Sequence, residues 1–145
     1  MPLPSAAKRI SPTAIYPPDP LVGDLFAAIG TVFGVESEDE FEAISAATAT
    51  IASYYAFIDG IASWLSQNGV PKGKAHDYVA RMFWGLTSIA VDAPDRTFQS
   101  LASAHATSGG INEQFLKLME EHGLSETVSR SLDAVLQRIR EASRT

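Results

Sequence analysis

From residue 40 to residue 67 apolar side chains recur at steps of three and four, and they do so on two faces. Phe41, Ile44, Thr48, Ile51, Tyr55, Ile58, Ala62 and Leu65 form one stripe; Thr50, Tyr54, Phe57, Ile61 and Trp64 form another. The spacing predicts one long helix over residues 40–67. A surface helix buries one stripe, so a helix apolar on two faces is buried on two sides. In a chain of 145 residues the second neighbour is most simply another subunit. The pattern therefore predicts a homodimer built through the helix over 40–67 and its neighbours.

The rest of the chain beyond residue 37 also reads as helices. Asn68-Gly69 ends the long one. Pro71 starts another, with Val79, Met82, Phe83, Leu86 and Ile89 on one face, ending near Asp92-Ala93-Pro94. A short helix is expected over about 95–106, then one holding Phe115, Leu116 and Met119 and closed by His122-Gly123. The last starts at Ser125 and carries Val128, Leu132, Val135, Leu136 and Ile139 inward. Arg138 and Arg140 sit near its end, where cations suit the helix dipole.

Residues 1–36 differ in character. Thr13-Ala14-Ile15-Tyr16 reads as a short strand stopped by Pro17-Pro18. Asp19-Pro20 opens a helix as N-cap and first helical residue. Leu21, Leu25, Phe26 and Ile29 give it an apolar stripe, and Gly30 ends it. Residues 31–35 read as a second strand. Strand, helix and strand with short connections form a βαβ unit, whose strands pair in parallel within a larger sheet. Two short strands are not a stable sheet alone, so neighbouring strands are implied. The fold class expected is mainly α: an all-helical domain over 37–145 preceded by a short βαβ remnant over 1–36.

Composition narrows the function classes. Hydrophobic residues make up 46% and charged ones 19%, which fits a globular chain. A formal net charge of −6 speaks against nucleic acid as a partner. There is no cysteine, which excludes disulfides, thiolate metal sites and a cysteine nucleophile, and fits a cytoplasmic protein. The most apolar window, residues 51–65, is too short to span a bilayer and is interrupted by Asp59, so no membrane is expected. No phosphate-binding or dinucleotide fingerprint occurs.

The sharpest chemical signal is Ala106-Thr107-Ser108-Gly109-Gly110-Ile111-Asn112-Glu113-Gln114. A glycine pair between two helices lets backbone N–H groups approach a ligand. The next helix adds unpaired donors and the positive end of its dipole. Such a loop suits a carboxylate, with Thr107, Ser108 and Asn112 adding side-chain hydrogen bonds. The same residues equally describe a plain helix–helix turn with Ser108 or Asn112 as N-cap. Asp59 reads either as a buried acid or as part of an exposed polar strip. His76, His105 and His122 show no ligand spacing, so no metal site is expected.

With these residues set out, nearly the whole chain resembles the pyrroline-5-carboxylate reductase family. Met1-Pro2 looks like that family's strand end near the nicotinamide, although Leu3-Pro4 follows where Asn-Thr-Pro is usual. Residues 13–35 look like the close of its Rossmann-type dinucleotide-binding domain. Phe41-Glu42-Ala43-Ile44-Ser45-Ala46 resembles the opening of its long helix. Tyr54-Tyr55-Ala56-Phe57-Ile58-Asp59-Gly60-Ile61-Ala62 is similar to its Ala-Tyr-x-Phe-x-x-Asp-Ala-Leu-Ala stretch. Gly69-Val70-Pro71 matches its Gly-Leu-Pro turn, and Thr107-Ser108-Gly109-Gly110-Ile111-Asn112 falls on its Ser-Pro-Gly-Gly-x-Thr signature.

The resemblance implies a helical dimerisation domain interlocked with its twin. It also implies a reductase in which NADPH or NADH, held mainly by a domain outside this chain, gives hydride to a ring imine. Backbone amides and the signature residue hold the substrate carboxylate. By position that role falls to Thr107, Ser108, Gly109, Gly110 and Asn112; no catalytic residue is assigned. Asn112 stands for the signature threonine and Ser108 for the proline. Thr48-Ala49-Thr50-Ile51-Ala52 replaces Ser-Gly-Ser-Gly-Pro at the substrate end. These departures point to a related imine or carbonyl acid rather than pyrroline-5-carboxylate itself. Because the chain starts at Met1 without a cofactor fingerprint, two other readings stay open: a stand-alone helical dimer that binds a partner or small acid, and an inactive paralogue.

Overall fold

The computed structural model describes residues 3–144; the strand end expected at Met1-Pro2 lies outside the described residues. Two compact units are present, residues 1–49 with 130–145, and residues 50–129. The fold is mainly helical with one small parallel sheet.

In the first unit a 3-10 turn, Pro4–Lys8, precedes β1, Thr13–Ile15. Next come α1, Pro20–Ala27, β2, Val32–Gly34, and α2, Glu38–Ala47. β1 and β2 pair in parallel, with Thr13 opposite Val32, Ala14 opposite Phe33 and Ile15 opposite Gly34. Flanking bonds extend the ladder: Thr13 N–H donates to Thr31 O at 2.8 Å and Val35 N–H to Ile15 O at 3.0 Å. The expected N-cap of α1 forms, while its C-cap is Ala28 rather than Gly30. Asp19 Oδ1 accepts from Val22 N–H at 2.9 Å with Pro20 in the first turn.

The stripe expected on α1 is covered only in part: Phe26 and Ile29 are half-buried. Leu21 is 80% exposed and Leu25 70%. Ile15 of β1 lies against Gly23. Residues two positions from Gly23 stand about 200° around the helix and point away from the strand. Gly30 follows the helix at φ +145°, and a Cβ there would collide with the backbone of Ser11. That close approach lets Ser11 N–H donate to Ile29 O at 3.1 Å.

The long helix predicted over 40–67 is two helices. α2 ends at Ala47 and α3 spans Thr50–Gln67. The break has a local cause. Thr48 Oγ1 donates to Ser45 O at 2.7 Å, and the N–H groups of Thr48 and Ala49 bond three residues back rather than four. Three-residue bonds tighten the last turn and end the α-helix. Phe41, Ile44 and Thr48 accordingly share a small cavity of about 90 Å³ with Leu3, Pro12, Ala14 and Phe33.

α7, Leu124–Ser143, brings Arg140 to α2. Its guanidinium bonds Asp39 at 2.9 Å and the nearly buried Glu42 at 3.2 Å.

In the second unit α3 and α4, Lys72–Asp92, form a helical hairpin. Gly69 at φ +91° closes α3, and Val70 N–H returns to Leu65 O at 3.0 Å. Phe83 of α4 meets Tyr54 and Phe57 edge-on, with ring centroids 6.3 and 5.9 Å apart. α4 buries Ala75 and Val79. α5, Phe98–His105, begins later than the sequence implies, because Thr97 caps it by accepting from Ser100 N–H at 3.1 Å. α6, Ile111–Glu121, and the start of α7 complete the unit.

The apolar stripes of α3 are not covered. No residue of α3 is buried; Tyr55 is 62% and Trp64 59% exposed. On α4, Trp84 is 72% exposed.

The Arg140 cluster gives a test. Arg140→Ala leaves the carboxylate of Glu42 buried without its partner. It should destabilise by about 2–4 kcal/mol, measured by urea unfolding. Glu42→Gln placed in the same chain should recover part of that loss. Equal stability of wild type and Arg140→Ala would show the pair to be energetically idle.

Candidate functional site

The loop between α5 and α6 is shaped by two glycines with different duties. Ala106 caps α5, its N–H donating to Ala102 O at 3.0 Å. The chain then reverses through Thr107–Gly110, closed by Gly110 N–H to Thr107 O at 2.8 Å. Gly109 sits third in this turn at φ +74°, as a type II turn demands. Gly110 has ordinary φ, but a Cβ on it would lie 2.7 Å from Thr107 Oγ1. The first glycine supplies a conformation and the second supplies room.

Gly110, neither Ser108 nor Asn112, is the N-cap of α6, and no side chain caps that end by the usual route. Gly109 N–H donates instead to Glu113 Oε2 at 2.7 Å. Asn112 Nδ2 donates to His105 O at 3.2 Å, tying the first turn of α6 to the last turn of α5. Thr107, Ser108, Gly109 and Asn112 are exposed and Gly110 is half-buried. The five residues singled out from the sequence therefore lie together, four on the loop and Asn112 in the first turn of α6. The turn sets the Gly109 and Gly110 amides beside the N-terminal, positive end of the α6 dipole. A carboxylate already lies against one of those amides, and it is the chain's own. Sequence reasoning passed over Glu113, although a glutamate three residues past a helix N-cap is a known capping position.

Other candidates lie elsewhere. Asp59 is exposed and lines a cavity of about 230 Å³ between α3 and α4, with Tyr55, Ile58 and His76. His122 Nδ1 is 2.6 Å from Leu118 O, a helix-end contact. His105 borders an apolar groove with Phe83, Leu86 and Phe98. Arg81 on α4 is held more firmly as a cation than a free arginine, by its hydrogen bond to Asp77 and then by that residue's charge. Among the described residues no three His, Cys, Asp or Glu side chains group as metal ligands. No helix among them is long and apolar enough to cross a membrane.

Three comparisons with known proteins bear on this geometry. The family described as pyrroline-5-carboxylate reductase dimerisation matches residues 38–142. A pyrroline-5-carboxylate reductase of Vibrio alginolyticus is 26% identical over 119 residues, which is 81% of this chain and 44% of that protein. The chain thus spans about half the length, or less, of the relatives it matches. Among solved structures, a pyrroline-5-carboxylate reductase from Coxiella burnetii superposes with a TM-score of 0.84 at 24% identity, over 97% of this chain and 55% of that one. The enzyme from Streptococcus pyogenes gives 0.83 at 26% identity, over 97% and 57%. The Plasmodium falciparum enzyme, solved with NADP bound, gives 0.82 at 18%, over 97% and 59%. A match from the first residue of α2 almost to the end of α7, over most of the residues described, places this chain in the pyrroline-5-carboxylate reductase dimerisation family.

Proposed function

We propose that this chain is the dimerisation and substrate-binding portion of an NAD(P)H-dependent reductase of cyclic imines resembling pyrroline-5-carboxylate reductase, acting in the manner of proline biosynthesis in the cytoplasm. Family membership over 38–142 carries the reading. The loop supports it: residues 107–112 resemble the family's signature, and they form a glycine turn at the start of α6, a geometry suited to an anion. In this reading residues 1–36 close a dinucleotide-binding domain, and residues 37–145 form the helical domain. NADP or NAD is held chiefly by residues outside the chain. That cofactor supplies the hydride.

What remains for these residues is positioning. Gly109 and Gly110 shape the cradle, and the free first-turn amides of α6 with the hydroxyls of Thr107 and Ser108 receive the acid group of the substrate. Asn112 holds the cradle against α5 through His105 O. Holding a bound imine at the right distance and angle from the cofactor is a large share of what such an enzyme contributes.

The second part of the reading is a homodimer. Its support is the two-faced apolar α3, on which Tyr55 is 62% and Trp64 59% exposed. An obligate interface of about 2,000 Å² or more would cover it. Light scattering on the purified protein should return twice the chain mass at micromolar concentration. A folded, stable monomer there would sink the dimer.

The activity is tested on the complete protein that carries this chain. Oxidation of NADPH or NADH, followed by absorbance, should accelerate when a cyclic imino acid is added. No turnover of any cyclic imine, combined with no binding of NAD(P)H, would favour the inactive paralogue. Binding of a small acid without any redox change would favour the stand-alone binding module.

A further inference from the structure

We propose that the cavity between α3 and α4 is a socket for a lysine side chain of a second copy of this chain, with Asp59 as the anchor that pairs it across the dimer. The socket rests on the homodimer reading and names a polar contact within it.

α3 runs for 18 residues with a single charge, that of Asp59. Asp59 follows Tyr55 by one turn and precedes Ala62 by three residues, so the three share a side of the helix. That side is open, with Tyr55 62% exposed. Together with Ile58, and with His76, Val79 and Ala80 of α4, they line the cavity of about 230 Å³. Its apolar members form a floor. Its polar members are acceptors: a carboxylate, and an imidazole whose unprotonated nitrogen accepts a hydrogen bond. Among the described residues neither the Asp59 nor the His76 side chain has a hydrogen bond or ion pair. The Tyr55 ring, braced by Tyr54 at 5.3 Å between centroids, adds an aromatic wall. Acceptors and a ring around an apolar floor match an ammonium group on an aliphatic stem.

Covering this side takes the Asp59 charge out of water, and a buried carboxylate is costly unless it is paired. The same unit supplies cations to pair it. Lys72, Lys74 and Lys117 are exposed and carry no ion pair among the described residues, whereas Arg81 is engaged by Asp77. A twofold dimer repeats each contact, so one matched lysine fills a socket on both copies. A free small amine is the rival occupant.

The test uses the complete protein and follows subunit exchange between 15N-labelled and unlabelled samples by native mass spectrometry. Asp59→Asn keeps the size and removes the charge; it should quicken exchange about tenfold or more, and Asp59→Lys should quicken it further. In the Asp59→Lys background, one of Lys72→Glu, Lys74→Glu and Lys117→Glu should slow exchange back toward wild type, because the reversed pair attracts again. An unchanged rate in Asp59→Asn would overturn the proposal, and so would a faster rate in Asp59→Lys that none of the reversals restores. Methylammonium chloride is compared with sodium chloride at equal ionic strength. If it slows exchange of wild type but not of Asp59→Asn, the socket belongs to a free amine and the lysine is overturned. Wild type that scatters light as a monomer would sink the homodimer reading itself, whereas a dimer indifferent to Asp59 sinks the socket alone.

Discussion

A helix that is apolar around most of its girth needs neighbours on two sides, and α3 has α4 on one. Tyr54 and Phe57 use that neighbour through Phe83. Tyr55 and Trp64 remain in water. Each large aromatic left exposed forfeits a couple of kcal/mol that burial would supply. The chain's buried apolar core is small, with Val35, Ala46, Ala75 and Val79 among its members. Covering that face would add to the stability of the second unit. The loop between α5 and α6 inherits this dependence, because the helices that position it belong to that unit.

Against this, the loop itself is locally determined. A positive φ at Gly109, the room left by Gly110, a turn closed on Thr107 and a side-chain tie from Asn112 to α5 are all short-range. Such a loop keeps its shape while larger packing is completed around it. Loop shape and helix packing are thus supported at different distances along the chain: the turn by neighbours within seven residues, the helices by surfaces farther apart in sequence.

The elements most legible in the sequence were those with a strong local cause. Asp19-Pro20 opens α1, Gly69 ends α3, and βαβ spacing gives a parallel pair. The two stripes of residues 40–67 correctly identified helix, but hid the interruption at Thr48. Periodicity is continuous there, and only a hydroxyl bonding back to Ser45 separates the two helices. The stripe on α1 misled for a different reason. Its leucines are periodic, yet Gly23 is the residue that meets the strand. At the loop, residue types suggested amides facing a ligand. They could not reveal that Glu113 reaches back four residues, since a glutamate in a first turn is ordinary dipole chemistry.

The open aromatic face of α3 also bears on how such a sequence can drift. When a surface meets its own copy across a twofold axis, each residue faces the interface from both sides. A change at Tyr55 or Trp64 is then made twice in every assembled particle, and its energetic effect is roughly doubled. Mild losses become severe, and a single compensating change is likewise counted double. Exposed positions on one chain would evolve like core positions, slowly and in correlated steps; the outward leucines of α1 belong to the other unit.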